Sequence, residues 1–187
     1  MNMEESTELR KFVAPEFVFG EDARRLAGRY ARNFGVRKAL VVSDRGVVEA
    51  GWTADIISSL EEEGLEYTIF SSVTSNPREK EVMAGTEVFR SQGCDVIVAV
   101  GGGSPMDCAK GIGIVYSNGR NILEFEGVDQ VPVPGPPLIC IPTTAGSSAD
   151  VSQFAIISNQ DKNVKIAIVS KTVVPDVALI DPITTTT

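Results

Sequence analysis

The chain has 187 residues, 43% hydrophobic and 22% charged, values typical of one folded domain rather than of a disordered chain. Its 17 basic and 25 acidic residues give a formal net charge of −8 at pH 7, which disfavours a nucleic-acid partner because a polyphosphate backbone requires a basic surface. No apolar run reaches the about 18 residues of a membrane span, and the acidic start MNMEESTELRK is wrong for a signal peptide.

Cysteine and histidine usage narrows the chemistry further. Cys94, Cys108 and Cys140 are scattered and form no CxxC motif, which favours a reducing cytoplasm with the thiols acting as small apolar side chains. The sequence contains no histidine. That absence excludes Ser-His-Asp and Cys-His catalysis by these residues and removes the commonest ligand of transition metals.

The first half of the chain alternates between short apolar runs and longer segments in which apolar residues recur at helical spacing. Several predicted helices end at a glycine, as at Gly35, and Pro77 begins another. In chain order we predict an extended piece at 12–20, a helix at 21–35, a strand at 38–44, a helix at 52–64, a strand at 67–72, a helix at 76–93, a strand at 95–100 and a helix from about 105 to 116.

The second half opens with a section rich in turn residues, 118–137, before a buried strand at 137–142. A hairpin is predicted from strands at 154–158 and 164–170, joined by the polar NQDKN, and a final strand lies at 177–181. Alternating strands and helices predict a three-layer α/β domain. Its sheet should be mainly parallel, with helices on both faces and the β-hairpin added.

The segment DVIVAVGGGSPMD (95–107) places three glycines directly after a strand and before a helix. Glycine permits positive φ and close approach of a ligand, and amides at a helix start, aided by the helix dipole, suit a phosphate. The alternative is a tight strand-to-helix turn. Because three glycines exceed what a turn needs, we favour a phosphate-binding loop, although the segment matches neither GxGxxG nor a Walker loop.

The residues after the glycines carry the signals of a helix start. Ser104 is a natural N-cap, Pro105 fits the first helical position, and Asp107 lies where a capping-box acid belongs. Asp107 is therefore interpreted as structural on local chemistry, since its carboxylate would oppose a nearby pyrophosphate.

Two further strand ends meet the same edge of the predicted sheet, where open α/β sheets bind ligands. Asp44 follows the strand at 38–44, and its carboxylate would accept ribose hydroxyls and repel a 2′-phosphate; an N-cap or Asx turn in SDRG is the alternative. The segment PTTAGSSAD (142–150) is rich in hydroxyls, which can bond ribose, phosphate or carboxamide. Its alternative is a small-residue loop with a helix start.

Five motifs cover nearly all of the chain: VVSDRGVVEAG, VTSNPREKEV, VAVGGGSPMDCAKGIG, IPTTAGSSADVSQFAII and VPDVALIDP. In this order they resemble the N-terminal half of the iron-containing (group III) alcohol dehydrogenases. The form IPTTAGS separates the chain from the glycerol dehydrogenase and dehydroquinate synthase branches. The resemblance implies a Rossmann-like domain that binds NAD(P), and hydride transfer between the nicotinamide and a primary alcohol or aldehyde.

The resemblance also implies roles for single residues. Asp44 would hold the adenine ribose and favour NAD over NADP, Asn76 would lie beside the cofactor, and Lys165 near the nicotinamide ribose. The glycine loop would hold the pyrophosphate, and the hydroxyls of 143–147 would contact phosphate or the nicotinamide side. Asp107 matches a family position, which raises the expectation that it borders the cofactor. The predicted cofactor-binding residues are Asp44, Asn76, Gly101, Gly102, Gly103, Ser104, Asp107, Thr143, Thr144, Ser147 and Lys165.

The sequence departs from the family at the metal site. In the family, one Asp and three His from a helical C-terminal domain hold Fe²⁺ or another divalent metal. This chain has no histidine and stops at DPITTTT. We therefore expect a dinucleotide-binding domain at 1–183, a threonine tail at 184–187 at the boundary to an absent metal domain, and no dehydrogenase turnover by the chain alone.

Three functional interpretations stay open. The first is the NAD-binding domain of an iron-type alcohol dehydrogenase, which the family resemblance expects to be a homodimer. The second is a stand-alone dinucleotide-binding module without chemistry. The third is a superfamily member acting on a polyol or a phosphorylated substrate.

Overall fold

The computed structural model describes residues 13–186. The first twelve residues and Thr187 lie outside this range, as does the first residue of the extended piece predicted at 12–20. The strands are β1 (Glu16–Phe19), β2 (Lys38–Asp44), β3 (Glu66–Val73), β4 (Val96–Gly101), β5 (Gly127–Val128), β6 (Leu138–Pro142), β7 (Phe154–Asn159), β8 (Val164–Val169) and β9 (Val177–Ile180).

Six of these strands form a sheet in the order β1-β9-β6-β4-β2-β3, and every neighbouring pair in it is parallel. The central strands are continuous apolar runs such as VIVAV of β4, which is buried along its whole length. Such runs are typical of parallel strands covered on both faces. A smaller sheet, β5-β8-β7, contains the predicted hairpin of antiparallel β7 and β8.

Helices connect the parallel strands. They are α1 (Ala27–Asn33), α2 (Arg45–Glu49), α3 (Trp52–Glu62), α4 (Glu79–Ser91) and α5 (Gly103–Asn118). Short 3₁₀ segments lie at Ala23–Leu26, Ile122–Phe125, Lys171–Val173 and Pro182–Thr185.

Two separate cores show that helices cover both faces of the large sheet. Side chains alternate along a strand, so Leu40 and Val42 of β2 face one core while Ala39 and Val41 face the other. The first core includes residues of α4 and α5, and the second includes residues of α1 and α3. The three-layer, Rossmann-like α/β fold with an added hairpin is thereby confirmed.

The helix starts differ from the sequence predictions in two places. The helix predicted from 76 begins at Glu79, because Arg78 occupies the N-cap position and Pro77 precedes it. The helix predicted from Pro105 begins at Gly103 with Gly102 as its N-cap. The assignment of Ser104 as N-cap is therefore wrong.

Long-range contacts explain where the side chains of that helix start go instead. Ser104 lies inside the first turn of α5, and its hydroxyl accepts a hydrogen bond from the backbone N–H of Asn76 at 3.1 Å. Asp107 lies in the second turn, so its assignment as a capping-box acid is also wrong. The backbone amide of Ile156 in the hairpin lies near its carboxyl and acts to lower the pKa of that carboxyl.

Two local features had no counterpart in the sequence predictions. The five-residue helix α2 follows β2 directly, with Asp44 as its N-cap. The second feature is a 3₁₀ segment, which forms the first turn of the helix predicted at 21–35.

No helix within residues 13–186 has the length and apolar character needed to cross a bilayer.

A buried charge cluster joins the carboxyl end of β9 to the helices on one face. Arg24, only 6% exposed, donates to Asp181 at 2.5 Å and to Asp55 at 2.7 Å. Its guanidinium also lies 5.3 Å from the ring centre of Trp52. The carboxylate of Asp181 is fully buried, so it depends on this cation for compensation.

We expect Arg24→Met to lower the free energy of unfolding by about 3–5 kcal/mol, because it leaves a buried carboxylate without its cation. Urea denaturation followed by circular dichroism measures this loss. Adding Asp181→Asn to Arg24→Met should restore part of the stability, since the amide is neutral. Arg45→Met, which breaks an exposed pair with Glu49, is the matched control and should change stability by about 0.5 kcal/mol or less. Equal losses of unfolding free energy for Arg24→Met and Arg45→Met would contradict the conclusion that Asp181 depends on Arg24.

Candidate functional site

The sheet has a topological switch point between β2 and β4. The helix that follows β2 on the way to β3, α3, packs on one face, whereas α5, which follows β4, packs on the other. The order β3-β2-β4-β6-β9 is that of a flavodoxin-like doubly wound sheet. In such sheets ligands bind in the crevice beyond the carboxyl ends of the strands at the switch point.

A cleft of about 520 Å³ lies at this position. Four strand ends border it, because β2, β3, β4 and β6 all finish at this edge of the sheet. Its lining residues are Asp44, Arg45, Gly46, Val47, Val73, Thr74, Ser75, Gly102, Gly103, Ser104, Pro105, Thr143 and Thr144. A cavity of about 350 Å³ on the α5 side of the molecule, by contrast, contains none of the residues predicted as a site.

The loop after β6 packs directly on two of the three glycines, Gly102 and Gly103. A Cβ on Gly102 would lie 3.1 Å from the hydroxyl of Thr144, and one on Gly103 would lie 3.2 Å from the Cβ of Ser147. Gly101 has a φ of +145°, and a Cβ there would lie 2.7 Å from the ring of Pro105. A Cβ at these positions would require the side chain of Thr144, Ser147 or Pro105 to move, so the bare backbone lets the two loops lie close together beside the cleft.

The amino end of α5 supplies the electrostatics of the cleft. The helix has 16 residues, and the amide groups of its first turn, at Gly103 and Ser104, have no carbonyl partner within the helix. Its dipole places partial positive charge there. The charged side chains that line the cleft are Asp44 and Arg45. Polar amides and hydroxyls with a helix start form a site suited to a phosphate without a dedicated lysine.

Asp44 combines the two roles that the sequence left open. One carboxylate oxygen accepts the amide of Val47 at 2.9 Å and caps α2. The other lies 3.5 Å from the position of a Cβ built on Gly101, so it faces the glycine loop. The cap therefore orients a carboxylate over the cleft. The neighbouring Arg45 projects into solvent and pairs with Glu49 at 2.7 Å.

Asn76 connects the cleft to the hairpin. Its φ is +58°, a left-handed conformation that asparagine tolerates better than most residues. Its backbone N–H donates to the hydroxyl of Ser104, and its side-chain oxygen accepts a hydrogen bond from the ammonium of Lys165 at 2.6 Å. The hydroxyl of Ser158 donates to its carbonyl at 3.3 Å. Three predicted site residues, Asn76, Ser104 and Lys165, thus form one hydrogen-bonded chain.

The loop at 143–153 contains neither helix nor strand, so the alternative of a helix start in it is wrong. The amide of Thr143 donates to the carbonyl of Gly101 at 2.9 Å, which continues the pairing of β4 with β6 past the strand ends. The hydroxyl of the buried Thr184 donates to the carbonyl of Pro142 at 2.6 Å. Thr144 through Ser148 are exposed.

The structure thus places most predicted residues around one cleft. Six line it directly, and Gly101, Asn76, Ser147 and Lys165 contact those six or their neighbours. Asp107 lies on the hairpin side, near the backbone amide of Ile156. Sequence reasoning missed the other lining residues, which are Arg45, Gly46, Val47, Val73, Thr74, Ser75 and Pro105. The position of 73–75 at the end of a parallel strand was the available signal.

A metal site does not fit the described residues. Within residues 13–186 no group of three or more His, Cys, Asp or Glu is placed to hold a metal ion, and the sequence supplies no histidine.

Comparison with known proteins agrees with the fold and the motifs. The family model described as iron-containing alcohol dehydrogenase matches residues 14–182. The chain is 34% identical to the NAD-dependent methanol dehydrogenase of Bacillus methanolicus over 171 residues, which are 91% of this chain and 45% of that protein. The chain therefore spans about half the length of the curated relatives it matches.

Solved structures show the same partial coverage. The crystal structure of 1,3-propanediol oxidoreductase superimposes with a TM-score of 0.92 at 35% identity, covering 95% of this chain and 47% of that one. Sulfoacetaldehyde reductase from Bifidobacterium kashiwanohense in complex with NAD⁺ gives a TM-score of 0.84 at 28% identity, covering 96% and 48%.

Burial raises the pKa of the Asp107 carboxyl to about 6, against the opposing effects of Lys110 and of the Ile156 amide. The native state then binds this proton more tightly than the unfolded state, so the stability that the proton contributes is complete below the ordinary pKa of 3.8 and is lost as pH rises through about 6. As pH rises from 5 to 7.5, the free energy of unfolding of Asp107→Asn should therefore increase by about 1 kcal/mol relative to that of the native chain. Urea denaturation at both pH values measures the gain, and an unchanged difference would contradict the raised pKa.

Proposed function

The chain belongs to the iron-containing alcohol dehydrogenase family, and on this premise we propose that it is the dinucleotide-binding domain of an NAD-dependent alcohol dehydrogenase. Bound NAD would accept or return a hydride, with a primary alcohol and its aldehyde as the substrate pair. The cleft at the switch point, lined by bare glycine backbone and the amino end of α5, is the observation that carries the proposal.

We assign the cleft residues to parts of the dinucleotide by their chemistry. Gly101 through Ser104 supply close backbone approach and free amides for the pyrophosphate. The hydroxyls of Thr143 and Thr144, on the facing loop, and of Ser147 beside Gly103 bind phosphate or the nicotinamide side without adding charge.

The remaining assignments concern the two ends of the dinucleotide. Asp44 binds the adenine ribose at one end, and Asn76 with Lys165 lies at the nicotinamide end. Asp107 borders the cofactor from the hairpin side of α5, near the amide of Ile156.

The orientation of Asp44 supports a preference for NAD over NADP. Its capping oxygen is occupied by Val47, which leaves the second oxygen to accept ribose hydroxyls. A 2′-phosphate at that position would place negative charge against the carboxylate.

The catalytic metal of the family, Fe²⁺ or another divalent ion, is proposed to be held outside these residues. The described residues offer no ligand cluster. We propose a cofactor domain at 1–183 and a boundary at 184–187 to the metal-binding part. Thr184 is already buried against Pro142, which connects this boundary to the cofactor loop.

A dinucleotide-binding module without chemistry is the second candidate, because the same absence of a ligand cluster among residues 13–186 favours it. Binding and turnover measurements on the chain together separate a module from a catalytic unit.

The proposed partners are an alcohol or aldehyde and a second copy of the chain. Phe17 and Phe19, 51% and 75% exposed on the edge strand β1, support self-association. We also propose a reducing cytoplasm, since Cys94, Cys108 and Cys140 are free and buried.

The first prediction for this function concerns cofactor choice. Calorimetric titration of the native chain should show tighter binding of NAD than of NADP. Asp44→Asn should narrow that difference by about tenfold, because the amide still caps α2 but carries no charge. Asp44→Gly should narrow it as well, with an added loss of stability from the missing cap. A native chain that binds neither dinucleotide, or an unchanged preference in Asp44→Asn, would overturn the assignment.

The second prediction concerns catalysis. We expect the 187-residue chain to produce no NADH from ethanol or 1,3-propanediol, with or without added Fe²⁺, because its described residues cannot assemble a metal site. Absorbance at the NADH band measures the rate. Metal-dependent turnover by the purified chain would refute the proposal that the metal is held elsewhere.

A further inference from the structure

Lys110 is a buried cation that neither the family motifs nor the cleft assigns to a role. It lies on α5, two turns from the glycine loop, and is only 3% exposed. Its ammonium donates to the carbonyl of Phe154 at 2.7 Å, to the carbonyl of Ser152 at 2.9 Å and to the hydroxyl of Ser152 at 3.3 Å. All three acceptors belong to the end of the loop at 143–153 and the start of β7.

These acceptors close the loop that carries the cleft hydroxyls. The loop starts at Thr143, which is held by Gly101, and its exposed middle includes Thr144 and Ser147. At its far end Gln153 accepts a backbone bond from Ser170 at 3.0 Å. Lys110 joins this far end to α5 through the three hydrogen bonds of its ammonium.

We propose that Lys110 is a positioning residue: it fixes the loop 143–153 on α5, so that the hydroxyls of Thr144 and Ser147 stay over the glycine loop. This inference rests on the proposed function as far as the cofactor is concerned. Through Lys110 a single helix sets both walls of the cleft, because its first turn contributes Gly103 and Ser104 and its third turn holds the opposite loop.

The physical basis is the high energetic demand of a buried ammonium. A buried charge is tolerated only when its donors are satisfied, and charge-assisted hydrogen bonds are stronger than neutral ones. Burial lowers the pKa of Lys110, and the nearby Asp107 and Asp150 oppose that shift. Asp107 lies on the same helix, and the Ile156 amide of the hairpin partly offsets the rise in the pKa of its carboxyl. The carbonyls of Ser152 and Phe154 lose their donor if the ammonium is removed.

The test replaces Lys110 by Met, which keeps the length of the side chain and removes all three donors. Ile56→Ala is the matched control, because it destabilises the opposite core without touching the loop. Hydrogen exchange is measured by mass spectrometry on the ligand-free 187-residue chain. Calorimetry then gives the affinities for NAD and for AMP, which lacks the nicotinamide half.

We expect Lys110→Met to accelerate amide exchange in 143–153 while 103–118 exchanges as in the control. Its affinity for NAD should fall about tenfold, with a smaller loss for AMP. Lys110→Gln, whose amide keeps two donors, should show loop exchange and NAD affinity between those of the native chain and of Lys110→Met. It replaces Lys110→Met if that variant is not recovered folded.

The outcomes separate this inference from the proposed function. If the native chain binds NAD and the Lys110 variants bind it as tightly as Ile56→Ala does, the positioning role is wrong. Amide exchange of 143–153 that is equally fast in Lys110→Met and Ile56→Ala would also reject the positioning role of Lys110. If the native chain binds no NAD, the proposed function fails, while the exchange data still decide whether Lys110 holds the loop.

Discussion

The cleft depends on a close contact between backbone and side chains that leaves little room for a Cβ atom. Where β4 ends, Gly102 and Gly103 lie against Thr144 and Ser147 of the next strand's loop, and an added Cβ would come within 3.1–3.2 Å of these side chains. The same bare backbone opens the amino end of α5 to the cleft. The packing of the two loops and the phosphate binding that we propose for them therefore both favour glycine at 102 and 103.

The sequence predicted the architecture well because each central strand is a continuous apolar run. KALVVSD and VIVAV admit few alternatives once they alternate with helical spacing, and parallel strands place their ends at one edge. Asp44 shows where a choice between two local interpretations was unnecessary. A carboxylate has two oxygens, so one caps α2 and the other faces the cleft.

Features that depend on distant residues were out of reach. Ser104 carries every local signal of an N-cap, yet its hydroxyl accepts the amide of Asn76, 28 positions away. Lys110 is surrounded by small and apolar residues in CAKGIGIV, a signal of burial, but nothing local identifies Ser152 and Phe154 as its acceptors. The pair Arg24 and Asp181 spans 157 positions. Tertiary contacts, not propensity, decided these positions.

A crystal structure of the chain grown with excess NAD tests the central claim most directly. The account predicts the pyrophosphate against the amides of Gly103 and Ser104, with the hydroxyls of Thr143 and Thr144 on its other side and the adenine ribose at Asp44. A nucleotide bound elsewhere, or a cleft in which side chains occupy the space beside the glycines, would contradict it.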